Sequence, residues 1–186
     1  MIALPAGGVI LIDGTGVQLR FRHEWARVKY NHHGRHRFVR VTATCDAKTG
    51  VWSAAAVTSD RGDGAGEVSQ VPALLAAQAQ HPDVLIGDGA YDTKGCYQTA
   101  REHDIRLIVP PHCNAKPGLD PDRDVTLRAV RQLGTKQWKQ KTGYHTRSLV
   151  ESGFGSYKTQ LGSVTTARTL PAARADVLAG LSLCNY

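Results

Sequence analysis

A chain of 186 residues, 41% hydrophobic and 21% charged, has the size and composition of one well-packed domain and is short for two. Its formal net charge of +7 suits a phosphate-rich partner such as nucleic acid. Cys45, Cys96, Cys113 and Cys184 stand far apart with no CxxC pair, which speaks against a zinc site or a disulfide framework. No apolar run approaches a membrane span, and the start lacks the basic region of a signal peptide.

Along the chain, 9–13 (VILID) and 17–21 (VQLRF), parted by Gly14 and Gly16, predict a first pair of strands folding back on each other. Residues 22–37 are polar and cation-rich and predict a loop. The runs 38–46 and 51–59 flank a Lys-Thr-Gly turn and predict a second hairpin. After the loop 61–66 (RGDGAG), residues 67–80 carry helical apolar spacing, with Pro72 bending the helix or delaying its start. Then come a buried strand at 83–88 (DVLIGD), a helix at 93–103, and a strand at 105–111 stopped by two prolines. A loop at 112–121 leads to a helix at 122–133, a basic turn around Trp138, a helix at 143–162 and a last helix from about 171 to 184. This order predicts one α/β domain, a mixed sheet with helices on both faces, of which the ribonuclease-H-like arrangement is one form.

The helix 143–162 reads GYHTRSLVESGFGSYKTQLG. Arg147, Glu151 and Lys158 are offset from Tyr144 by 3, 7 and 14 residues, and at about 100° per residue the four fall within roughly 60° of one another. Val150, Phe154, Tyr157 and Leu161 form a neighbouring apolar stripe. A glutamate among cations on a helix is ordinarily a solvated ion-pair face, worth about a few tenths of a kcal/mol per pair. The other acids give it more weight. Asp13 in LIDGTG and Asp88 in LIGDGAYDT close apolar strands. Each alone is an ordinary turn or capping residue. Together they stand at strand ends, where sites of α/β sheets form. Three converging carboxylates repel one another unless a cation lies among them. Asp13, Asp88 and Glu151 are therefore the expected metal ligands, and hard oxygen donors suit a hard divalent ion.

The pattern Y-x2-R-x3-E-x6-K, carried by Tyr144, Arg147, Glu151 and Lys158, resembles the signature of bacterial insertion-sequence DDE transposases. GDGAYDT resembles that family's motif around its second aspartate, with Tyr91 at the aromatic position. GYHTRSLVE, IVPPHCNAK and DGAYDT resemble the branch in which the second aspartate and the glutamate lie close in sequence, without a large strand-rich insertion. The resemblance runs from Val9 to about Leu183.

It implies a ribonuclease-H-like fold and a DDE catalytic triad of Asp13, Asp88 and Glu151 holding two Mg²⁺ ions, with Mn²⁺ able to substitute. Cleavage of transposon ends and their transfer to target DNA would follow, with Asp13 bridging the ions. Tyr144, Arg147 and Lys158 would contact the DNA backbone. The implied partners are double-stranded DNA, a second copy in a homodimeric active complex and an upstream-frame DNA-binding product, with a place in the bacterial cytoplasm at the nucleoid and no membrane. Family members carry an N-terminal DNA-binding domain before the first aspartate, where this chain has twelve residues. The expectation is a single catalytic domain over 1–186 without that module. A metal-dependent nuclease of the same fold and an inactive DNA-binding remnant are the alternatives.

Arg20, Arg22, Lys29, Arg35, Arg37 and Arg40 are either the lining of a DNA channel or solvated charge. His32, His33 and His36 read as exposed loop histidines rather than metal ligands. Trp138, beside Lys136, Lys139 and Lys141, either stacks on an unpaired base or anchors the core.

Overall fold

The computed structural model describes residues 8–20, 38–60 and 66–185. Among them, six strands form one mixed sheet: β1 (Gly8–Leu19), β2 (Phe38–Asp46), β3 (Trp52–Ser59), β4 (Pro82–Ile86), β5 (Arg106–Ile108) and β6 (Val164–Thr165). Five α-helices flank it: α1 (Val71–Ala76), α2 (Lys94–Glu102), α3 (Pro121–Thr142), α4 (Ser148–Leu161) and α5 (Leu170–Leu183). The strand order is β3-β2-β1-β4-β5, with β6 beside the far end of β1. β1, β2 and β3 are antiparallel neighbours, while β4 and β6 lie parallel to β1 and β5 lies parallel to β4. This is the α/β, ribonuclease-H-like sheet that the sequence predicts.

Strand alternation divides the core in two. Leu11, Val17, Val84 and Ile86 face α4 and α5, where Val150, Phe154, Tyr157, Val177 and Leu181 are buried. Ile10, Ile12 and Leu85 face α1 and α2 with Leu74, Leu75, Tyr91 and Tyr97. At about 25 cal/mol per Å² of apolar surface removed from water, these two layers are the main favourable term in folding.

The first hairpin is not there. Gly14 and Gly16 sit inside one unbroken strand, paired with Thr42 and Arg40 of β2. A glycine has no side chain to pack in a strand, but β2 binds this one along most of its length, from Ile10 opposite Asp46 to Gln18 opposite Phe38. The ladder outweighs the turn preference of Asp-Gly. The second hairpin matches its expected span, and Asp46 seals its turn by accepting from the N–H groups of Lys48 and Thr49. The loop expected at 22–37, with its histidines and with Arg22, Lys29, Arg35 and Arg37, lies outside the described residues, as do Phe21 and all of 61–66 but Gly66.

Pro72 does delay its helix. A 3₁₀ turn at Val68–Gln70 precedes α1, whose first turn holds the proline. The helix predicted at 122–133 runs on through the expected basic turn to Thr142, with a kink at Gly134, whose φ of 75° is left-handed. Trp138 is thus helical, buried, and packed on Tyr144 with ring centroids 5.7 Å apart, in the anchoring role. No helix among the described residues is long and apolar enough to cross a membrane.

Candidate active site

The sheet opens at one place. The last partner pair of β1 and β4 is Leu11 with Ile86, and the next parallel neighbour of β1 is β6, at Gln18. Asp13 lies on β1 beside this opening, opposite Ala43 of β2, and alternation turns it toward α4. Asp88 follows β4 after Gly87. The opening is therefore at the carboxyl end of β4, beside the middle of β1, and strand carboxyl ends are where α/β sheets place their sites.

Asp88 also does the bland job expected of it. Its backbone is extended, and its Oδ1 accepts from the N–H of Ala90 at 2.8 Å, capping the 3₁₀ turn Gly89–Tyr91. Gly87 is required by crowding: a Cβ there would fall 2.8 Å from the Tyr91 ring and 3.1 Å from Ile12. The turn is braced from below. Asp92 is paired with Arg123 of α3 through two bonds of 2.7 and 2.9 Å, both side chains almost wholly buried, and also accepts from the N–H of His112.

Glu151 and its signature partners are not on one helix. Gly143, with φ of 69°, ends α3. Tyr144–Arg147 is a 3₁₀ turn, and α4 begins only at Ser148. The 100° arithmetic therefore fails before residue 148. Side chains three apart eclipse in a 3₁₀ turn, so Tyr144 stays beside Arg147, one turn before Glu151, with its own ring buried. Tyr144 is buried against Trp138, with the Lys139 ammonium 5.1 Å from its ring centre. Lys158 lies two turns beyond Glu151, half-buried.

Arg147 joins the first acid to the third. Its Nη1 is 3.3 Å from Oδ2 of Asp13, and its Nη2 donates to Oε1 of Glu151. Burial opposes the charge on Arg147, but Tyr144, Asp13, Glu151 and Asp88 outweigh it and hold the guanidinium above its usual pKa. Burial likewise pushes the Asp13 carboxyl up. The Gly14 N–H and Arg147 pull it back, and Asp88 and Glu151 push it up again. Charges from two further elements, Asp88 after β4 and Glu151 on α4, thus reach Asp13 on β1. As arranged, no three acidic, histidine or cysteine side chains among the described residues enclose an ion.

Over residues 5–185 the sequence matches the family model described as the transposase DDE domain. The chain belongs to the transposase DDE domain family. A transposase DDE domain takes DNA as its substrate and works on phosphodiester bonds, and the family generally uses divalent metal ions.

Two neighbours of the opening carry no motif. Glu67 stands against Gly14, where a Cβ would lie 2.2 Å from the Glu67 carboxyl carbon. Its only sequence signal is an acid just ahead of an apolar helical run, which reads as an ordinary helix start. Arg123 has no signal beyond its place in the first turn of α3.

Proposed function

We propose that this domain cuts transposon DNA ends and joins them to target DNA, with Asp13, Asp88 and Glu151 holding the divalent ions. The observation that carries the reading is Arg147: one guanidinium spans carboxylates that the sheet and a helix bring in separately, at the opening where Asp88 caps the turn that follows β4. A cluster that holds an organic cation this way has the charge and the hard oxygen donors for Mg²⁺ or Mn²⁺.

When bound, two such ions would clamp the attacking and leaving oxygens of an in-line displacement at phosphorus. Asp13, Asp88 and Glu151 would hold them. Arg147 exchanges its carboxylate partners for a DNA phosphate, which a planar guanidinium binds in two-point fashion. Lys158 meets a second phosphate along α4. Tyr144 packs beneath Arg147 and positions it rather than touching DNA. In the first step water attacks the phosphorus and the transposon 3′ oxygen leaves as a hydroxyl. In the second, that hydroxyl attacks a target phosphodiester, and the target 3′ oxygen leaves with a proton.

The test uses duplexes built from the DNA that flanks the gene, with pre-cut ends and a target plasmid. Joined product with Mg²⁺ is expected from the native chain and none from Glu151→Gln. Cutting without joining would mark a nuclease. Joining by a folded Glu151→Gln variant would contradict the assignment.

A further inference from the structure

The acids of the opening are not limited to the face toward α4. Gly14 follows Asp13 and turns to the other face of β1, the side of α1. Glu67 fills the place a side chain would take: an added Cβ would lie 2.2, 2.4 and 2.7 Å from its carboxyl carbon and two oxygens. The glutamate is half-buried, and burial raises its pKa. Arg40 lowers it, and both Asp13 and Asp88 raise it further, so those two carboxylates act on Glu67 across the sheet.

A second group points at the same place. The Tyr91 side chain is fully buried, and its hydroxyl has no hydrogen-bond partner. Beyond burial, Glu67, Asp13, Asp88 and Cys96, in that order, raise its pKa. A buried phenol normally finds a partner, because leaving its hydroxyl unpaired is costly. Its ring packs against Gly87, next to Asp88, and the unpaired hydroxyl is left to donate to water.

We infer that Glu67 is a fourth carboxylate of the cation site, set against the bare backbone of Gly14 on the opposite face of β1, with the Tyr91 hydroxyl holding the water between them. Glu67 acts as a positioning residue. It adds negative charge and orders the ion's outer water shell, while Asp13, Asp88 and Glu151 supply the direct ligands. The inference rests on the metal-site reading above.

The experiment is calorimetric titration of the DNA-free chain with Mn²⁺, beside a thermal melt of each variant. Glu67→Gln is expected to weaken Mn²⁺ by roughly ten- to a hundredfold, the usual effect of removing an outer partner of a metal site. Tyr91→Phe, which loses only the orphaned hydroxyl, is expected to weaken Mn²⁺ in the same direction with no loss of melting temperature. Gly14→Ala keeps the Glu67 charge but displaces it, so it serves if Glu67→Gln does not fold, and weaker binding is expected there too. Native-like Mn²⁺ affinity in folded Glu67→Gln overturns the inference, as does native affinity in Gly14→Ala if Glu67→Gln fails to fold. Asp13→Asn separates the two readings. If it loses Mn²⁺ while Glu67→Gln does not, only the fourth carboxylate fails. If it also binds as the native chain does, the metal-site reading fails with it.

Discussion

Arg147 stands between Asp13 and Glu151, 3.3 Å from the first and bonded to the second. In the metal-site reading it is the counter-ion that makes the acid cluster tolerable without metal, and it must yield before an ion can enter. Arg147→Gln should therefore raise Mn²⁺ affinity in the absence of DNA, by roughly five- to tenfold if about 1 kcal/mol of ion pairing is released. The same change should weaken DNA binding. Calorimetry and a DNA titration read the two signs. Unchanged or weaker Mn²⁺ binding would mean that Arg147 does not compete for the site.

Asp13 gives a stability test. Its pKa is raised in the fold, so the folded state favours the neutral acid, and the ionised form costs stability above that pKa. The penalty fades as pH falls below the unfolded value of about 3.9. Asp13→Asn, a neutral mimic, should stabilise the metal-free protein at pH 7 by up to about 1 kcal/mol, with no advantage near pH 3. Added Mn²⁺ should stabilise the native protein and leave the variant unchanged. Thermal melts at the two pH values, with and without Mn²⁺, check all three points.

The Asp92–Arg123 pair is the brace beneath Asp88. Both side chains are almost wholly buried, at 3% and 6% exposure, so removing one strands the other's charge. Arg123→Met should cost about 3–5 kcal/mol in urea unfolding, and the double variant with Asp92→Asn distinctly less than the sum of the two single changes. Additive effects would mean that the two do not act as a pair.

Lys158 is expected to bind phosphate without reading sequence. Lys158→Ala should flatten the plot of log K against log salt by about 0.9, the share of one phosphate contact, on any duplex. A slope unchanged by the substitution would remove Lys158 from the interface.

Much of this architecture was legible because its signals are local. Apolar runs marked β2, β3 and β4, and Thr93, whose hydroxyl accepts from the Cys96 N–H, marked the start of α2. Asp13 and Asp88 were found because each ends an apolar run beside glycine. What failed depended on partners elsewhere in the fold. Gly14 and Gly16 looked like a turn because the sequence does not reveal the β2 ladder that holds them extended. The break between Tyr144 and Ser148 was hidden because the i+3 spacing of Tyr144 and Arg147 suits a 3₁₀ turn and an α-helix alike. Glu67 was invisible as a neighbour of the acids because its position depends on the side chain Gly14 lacks.

The central claim is that Asp13, Asp88 and Glu151 form one cation site. The most direct measurement is anomalous diffraction at the manganese edge from crystals of the domain bound to DNA and Mn²⁺. The account predicts peaks within about 2.0–2.6 Å of oxygens from all three carboxylates, with Arg147 moved to a backbone phosphate. Manganese bound elsewhere, or Arg147 still bridging Asp13 and Glu151 with DNA in place, would contradict it.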